Sequence, residues 1–234
     1  MGEVIAARTL NELYIILDIC FLMILFGVLM YTKRYMAAIV GILGGILYLA
    51  VDYGIFYLLL NTRTVQGADT FWFLLWLSMS YGFTNFVWIW LWLDKDKNRL
   101  EWSVLILSGW LCTALLSQNF GQAFGTITIS RGTGQYHGVM ALILFVGYAL
   151  LCVSNIKNRQ KGNTVNLWDI LSIGILVQFA WEFVLLITGI RPQGIAPLVV
   201  NSLLETNLGL PYLYFIHRAV MSRFGEDLKR RKRE

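Results

Sequence analysis

Charge is scarce in this chain. Asp, Glu, Lys and Arg together make up 14% of its 234 residues, against 57% hydrophobic ones. A soluble domain of this length needs far more polar surface, so the composition points to an all-α polytopic membrane protein. Histidine is almost missing, with His137 and His217 far apart, and Cys20, Cys112 and Cys152 lie singly inside apolar runs. Neither type has metal-ligand spacing, which leaves no metal site or disulfide framework; inert buried thiols are expected. The three prolines, Pro192, Pro197 and Pro211, all follow residue 190. No Walker loop, nucleophile elbow or zinc motif occurs. Asp94-Lys95-Asp96 lacks the aspartate-rich spacing that holds magnesium diphosphate, and no lysine lies in the last apolar run to carry a retinal Schiff base. No cofactor is expected.

Apolar sequence fills the space these absences leave. Seven runs are long enough to cross a bilayer, at about 11–31, 37–60, 70–93, 102–122, 136–154, 167–188 and 197–217. The first has no small-residue cleavage site and contains an acid, so it reads as a span and not a removable signal. Residues 1–222 form one seven-helix domain, and 223–234 a basic tail. Trp88, Trp90 and Trp92 are expected in an interfacial belt, Gly125–Gly134 as an irregular loop, and Pro211 as a kink in the last helix. Segments after helices one, three, five and seven carry fifteen Lys and Arg, the other side four: Arg8, Arg63, Arg131 and Arg191. That bias places the N-terminus outside and the C-terminus in the cytoplasm. Arg63, Arg131 and Arg191 are expected to snorkel to headgroups, with an anionic group on the outer side as the alternative. Most of the net charge of +5 comes from Lys229-Arg230-Arg231-Lys232-Arg233, which is expected to meet anionic lipid rather than nucleic acid. Oligomeric state is not legible.

Four acids interrupt the apolar runs: Asp18, Asp52, Glu182 and Glu205. At 1.5 Å per residue each sits roughly 9–12 Å below the outer boundary of its helix. A carboxyl at that depth marks a functional site by default, and four at one level predict a shared polar chamber near the outer leaflet. Gln178 lies one turn before Glu182 and Trp181 beside it. Dry surroundings favour the neutral acid, which makes Glu182 and Asp52 candidate proton donors; an interhelical hydrogen bond is the plainer alternative. Gln118, Asn119, Gln122, Gln135 and His137 are candidates for the chamber's mouth or ordinary interfacial residues. An internal echo matches Gly44…Ala50-Val51-Asp52-Tyr53 with Gly174…Ala180-Trp181-Glu182-Phe183, and Ser80…Thr84-Asn85 with Ser202…Thr206-Asn207. It suggests two three-helix units around a linker helix, a 3+1+3 pseudo-repeat.

Three stretches carry a family likeness: Lys33-Arg34-Tyr35-Met36 after helix one, Ala50-Val51-Asp52 in helix two, and helix seven from Pro197-Leu198-Val199 to Leu208-Gly209-Leu210-Pro211-Tyr212…Arg218. In these, and in length and helix count, the chain resembles the seven-helix integral-membrane terpene cyclases of fungal meroterpenoid and indole-diterpene pathways. Two departures stand out. Where the family tends to show Ala-Trp-Glu in helix two this chain has Ala50-Val51-Asp52, and its clearest Ala-Trp-Glu string, Ala180-Trp181-Glu182, is in helix six. Aligned on Pro211, the family's second acid falls on Asn207, with Glu205 the nearest carboxyl. The resemblance implies a lipid-soluble isoprenoid substrate, often epoxidised, protonated without metal by a buried carboxylic acid. On that basis Asp52, Glu182 and Glu205 are the candidate catalytic acids. Trp181, Tyr53 and Tyr57 are candidate cation stabilisers, and Gln178, Asn207 and Asp18 candidate binding residues. The 3+1+3 layout is similar to the SWEET sugar transporters as well, although prolines in several helices are usual there.

Overall fold

The computed structural model describes residues 6–132, 134–161, 164–192 and 194–231. Six of the expected runs are single helical stretches: α1 (Glu12–Tyr31), α2 (Tyr35–Leu49, continuing as a π-helix over Ala50–Leu59), α3 (Thr70–Leu93), α4 (Arg99–Phe120), α5 (His137–Asn158) and α6 (Leu167–Ile187). Five helices, all of these but α3, are long and apolar enough to cross a membrane. Their outer surfaces are apolar, with Met23, Ile24, Leu43, Val104, Leu142 and Phe145 all exposed. Water does not tolerate so continuous a coat, whereas lipid does.

α3 is the axle of the bundle. Fifteen of its 24 residues are buried, among them Ser78, Ser80, Thr84, Asn85, Trp76, Trp88 and Trp90, which face other helices. The expected belt is therefore corrected at two positions. Trp88 is buried against Trp110 and donates from Nε1 to Ser103 Oγ, and Trp90 is buried edge-on to His217. Trp92, half-buried, lies under the Arg99 guanidinium. Tight contact with α2 comes from small residues: a Cβ on Gly82 would lie 2.6 Å from Gly45 Cα and 2.7 Å from the Gly44 carbonyl. Side-chain-free backbone lets the two helices approach this closely. The cysteines are free but exposed on the outer faces of their helices, not buried as expected.

Two larger corrections concern the end of the bundle where α1 and α3 begin. First, the fold is not purely α. β1 (Ala6–Asn11), β2 (Arg63–Gln66) and β3 (Thr126–Arg131) form an antiparallel sheet in the order β1-β3-β2. The stretch expected as irregular is thus its central strand, and Thr-Ile-Thr-Ile is a β-branched alternation that suits one. Ile127 and Ile129 are buried, and opposite them in register stand Leu10 and, for Ile129, both Arg8 and Val65. Arg63 stands opposite Arg131. Since alternate residues share a face, the pleat puts Arg8, Arg63 and Arg131 on the same side as the buried isoleucines, toward the helices.

Second, the seventh run is not one helix with a kink. α7 (Ile195–Leu204) stops, a 3₁₀ turn covers Asn207–Gly209, and α8 runs over Leu210–Arg231. Pro211 cannot supply a backbone N–H and crowds the preceding turn, so it is accommodated in the first turn of a new helix. The break leaves Glu205 at the end of α7. α8 passes through residue 223 without a boundary, and Lys232 and Arg233 of the expected tail lie outside the described residues.

Candidate functional site

Glu182 is wholly buried on α6 and is an ion-pair partner, not a lone acid. Arg8 Nη2 donates to its Oε1 at 3.2 Å, and Arg191 pairs with its other oxygen. Gln178 Nε2 and Asn201 Nδ2 each add a hydrogen bond to Oε1 at 3.3 Å. Asp52 is held in the same manner. Arg63 donates to its Oδ1 from Nη2 at 2.7 Å and Nε at 3.2 Å, and Arg131 Nη2 donates to it at 3.3 Å. Two guanidiniums at one carboxyl stabilise the carboxylate, so the expected neutral form of Glu182 and Asp52 is corrected. The reason lies in the sheet, which brings Arg8, Arg63 and Arg131 inward, while the turn after α6 brings Arg191. Arg8, Arg63 and Arg191 are buried, so the expected snorkelling of Arg63 and Arg191 is corrected; Arg131 is half-buried.

Glu205 differs. Among the described residues no guanidinium forms a salt bridge with it; its Oε2 accepts from Gln178 Nε2 at 3.1 Å. Gln178 is the junction of the site. Its Nε2 joins Glu182 to Glu205, and its Oε1 accepts from Tyr81 Oη and Thr206 Oγ1, both at 2.5 Å. Asn85 Nδ2 reaches Thr206 Oγ1 at 3.4 Å. The echoed pairs Thr84-Asn85 and Thr206-Asn207 therefore touch each other across α3 and the α7–α8 break.

Beside this network lies a cavity of about 300 Å³. Asp52, Arg131 and Glu205 reach it, with Thr206, Tyr48 and Tyr81 as its other polar lining. Leu47, Val51, Phe56, Phe86, Ile89, Met140 and Leu213 make most of the rest of the wall apolar. Tyr48 and Tyr81 stack with centroids 4.8 Å apart, and Phe56 lies under Arg63 at 4.4 Å. The cavity is flanked by the two irregular helical segments, the π-helix carrying Asp52 and the break carrying Glu205. Insertions of this kind cluster where side chains must be re-aimed.

The expected chamber is thus half realised. Asp52 and Glu205 share the cavity, and Glu182 is one glutamine away. Asp18 is elsewhere: buried, it accepts from Trp76 Nε1 at 2.9 Å and does not line the cavity. Tyr53 and Tyr57 stack on each other at 5.3 Å and Tyr53 packs on Phe71, outside the lining. Trp181 is buried between Tyr81 and Trp110, behind the wall. Asn207 accepts from Tyr148 Oη at 2.6 Å, facing α5. Gln118, Asn119, Gln122, Gln135 and His137 are not part of the lining. Nothing local in the sequence marked Tyr48 or Tyr81 as lining; the arginines were legible only as the cations of the outer segments.

Electrostatics follow from crowding. Burial pushes Arg8 down to about 10, and the Arg131 guanidinium adds to the effect. Arg63 and Arg191 are likewise pushed down to about 10, by burial first and then by Arg131 and Arg8 respectively. Desolvation works against Arg131 as well, but Asp52 and Glu205 more than offset it and hold it above the usual arginine range. Compared with protein-family models, curated proteins and solved structures, the chain matches none.

Proposed function

We propose that this chain is a multi-pass integral membrane enzyme that cyclises or isomerises an isoprenoid by acid chemistry, without metal. The observation that carries the reading is Glu205, a carboxyl on the wall of a mostly apolar cavity that forms no salt bridge with a guanidinium among the described residues. In its acid form Glu205 transfers its proton to an epoxide oxygen or an alkene carbon. For an epoxide the C–O bond breaks, a neighbouring double bond supplies the electron pair for a new C–C bond, and the resulting cation loses a proton to water or a carboxylate. Substrate and product are isomers. Tyr48, Tyr81, Phe56 and Phe86 offer π faces to the cation, the role expected of Trp181, Tyr53 and Tyr57. Asp52 and Glu182 instead hold the arginines, and Gln178 aims Glu205. A volume near 300 Å³ is at the lower bound of small-molecule sites. The N-terminal end is read as outside, and the basic end of α8 as facing anionic headgroups in the cytoplasm.

The test is turnover. Purified protein in nonionic detergent, given C15 and C20 prenyl epoxides, should yield cyclic isomers of unchanged mass. Glu205→Gln should lower the rate at least ~100-fold, the usual worth of a general acid, without lowering the melting temperature. Undiminished turnover by that variant removes Glu205 from the chemistry. One observation favours a second reading: a broken helix and a π-helix flank the polar site, as in transporters built from discontinuous helices. Solute uptake by proteoliposomes with no isomer formed would favour a transporter.

A further inference from the structure

The charged residues around the cavity do not balance. Among the described residues, four guanidiniums (Arg8, Arg63, Arg131 and Arg191) are packed with three carboxylates, Asp52, Glu182 and Glu205. Each of the two ion-paired acids serves two arginines, and Glu205, which forms a salt bridge with none of them, leaves the cluster one positive charge in excess even when ionised. An uncompensated charge away from water is costly, on the order of several kcal/mol in real interiors, so such a cluster favours an added anion. The member of the cluster that meets the cavity is Arg131. It holds Asp52 by one bond of 3.3 Å, the longest that acid receives, and its buried Nε–H has no hydrogen-bond partner among the described residues. The wall beyond it is Leu47, Val51, Phe86, Ile89 and Leu213.

We propose that the cavity takes a single-chain amphiphile with an anionic oxygen head, a prenyl chain ending in carboxylate or phosphate, whose head pairs with Arg131 while the chain lies along the apolar wall. Guanidinium geometry suits such heads, since its planar donors meet two oxygens at once. The inference rests on the cavity being the substrate site of the proposed enzyme, and it narrows the substrate to an acidic isoprenoid.

The test compares matched chains. Binding to the full chain in zwitterionic nanodiscs is measured for a C15 prenyl alcohol, carboxylate and monophosphate, and for a single-chain lysophosphatidic acid. Both prenyl anions should bind at least tenfold more tightly than the alcohol and raise the melting temperature. Arg131→Gln should erase that difference, Arg131→Lys should keep part of it, and Leu213→Trp, which fills the cavity, should abolish binding of all three prenyl compounds. Equal affinity for alcohol and anions overturns the proposal, as does unchanged anion binding in Arg131→Gln or Leu213→Trp. Should Arg131→Gln fail to fold, the wild-type head-group series alone decides. Tighter binding of the lysolipid than of either prenyl anion overturns the isoprenoid assignment in favour of a membrane lipid. Turnover is read separately: anion binding without any isomer formed sinks the enzyme reading and leaves the anion site standing.

Discussion

At Glu182 the carboxylate is enclosed by Arg8, Arg191, Gln178 and Asn201. Glu182→Gln leaves two guanidiniums without their counter-charge, so it should destabilise the fold by about 3–5 kcal/mol, the cost of breaking a buried pair. Thermal melts of the purified variant check this. A second change, Arg191→Gln in the same chain, should recover part of the loss, because it removes one of the stranded charges. A Glu182→Gln protein as stable as wild type would mean that water or lipid already screens the cluster. Glu205→Gln should behave in the opposite way, stable and inactive. The contrast between two glutamates one glutamine apart separates the holding role from the proton-transfer role.

At Gly82, α3 lies directly against the backbone of Gly44 and Gly45 in α2, while Phe86 and Met79 of α3 pack on those two glycines. Gly82→Ala would set a methyl against the backbone of α2, which has no rotamer to yield. Overpacking of this kind costs about 1–3 kcal/mol. Because α2 continues into the π-helix with Asp52, the displacement should also loosen the cavity. The expected result is a lower melting temperature together with weaker ligand binding, measured on one preparation; unchanged values of both would show that the helices can part freely. At the same scale, the sheet acts as a delivery device. Residues six to eleven, 63–66 and 126–131 are far apart in the chain, yet their shared pleat places three arginines among acids on helices α2 and α6. A slip of β3 by one residue would turn Arg131 out with its isoleucines.

For the whole molecule, the strongest asymmetry is between its two ends. One end carries the sheet, the buried arginines and the cavity. The other carries Lys33, Lys95, Lys97, Lys157 and the basic end of α8, where Arg34 grips Asp96 at 2.9 Å and so ties the turn after α1 to the turn after α3. Burial and pairing of Arg8, Arg63 and Arg191 lower the positive charge that the sheet end shows to its surroundings, which strengthens the bias that sets orientation. Single cysteines at Gln66 and Lys97, both exposed and at opposite ends of α3, test the proposed topology in a cysteine-free background. In intact cells an impermeant maleimide should label position 66 at once and position 97 only after permeabilisation. The reverse order would invert the protein.

Sequence alone determined six of the seven apolar helices, nearly to the residue for 70–93, because a run of that length without charge has few other fates. It also determined which carboxyls lie deep in those runs, since depth follows from rise per residue. Tertiary structure decided what each carboxyl does. Whether a buried acid stays a proton donor or becomes one half of an ion pair depends on where cations from other segments arrive. Here they arrive on three short strands and a turn, whose pairing is set by register across more than a hundred residues. The local sequence around Glu182 and Glu205 says nothing of that difference; the sheet that brings arginines to one and not to the other makes it.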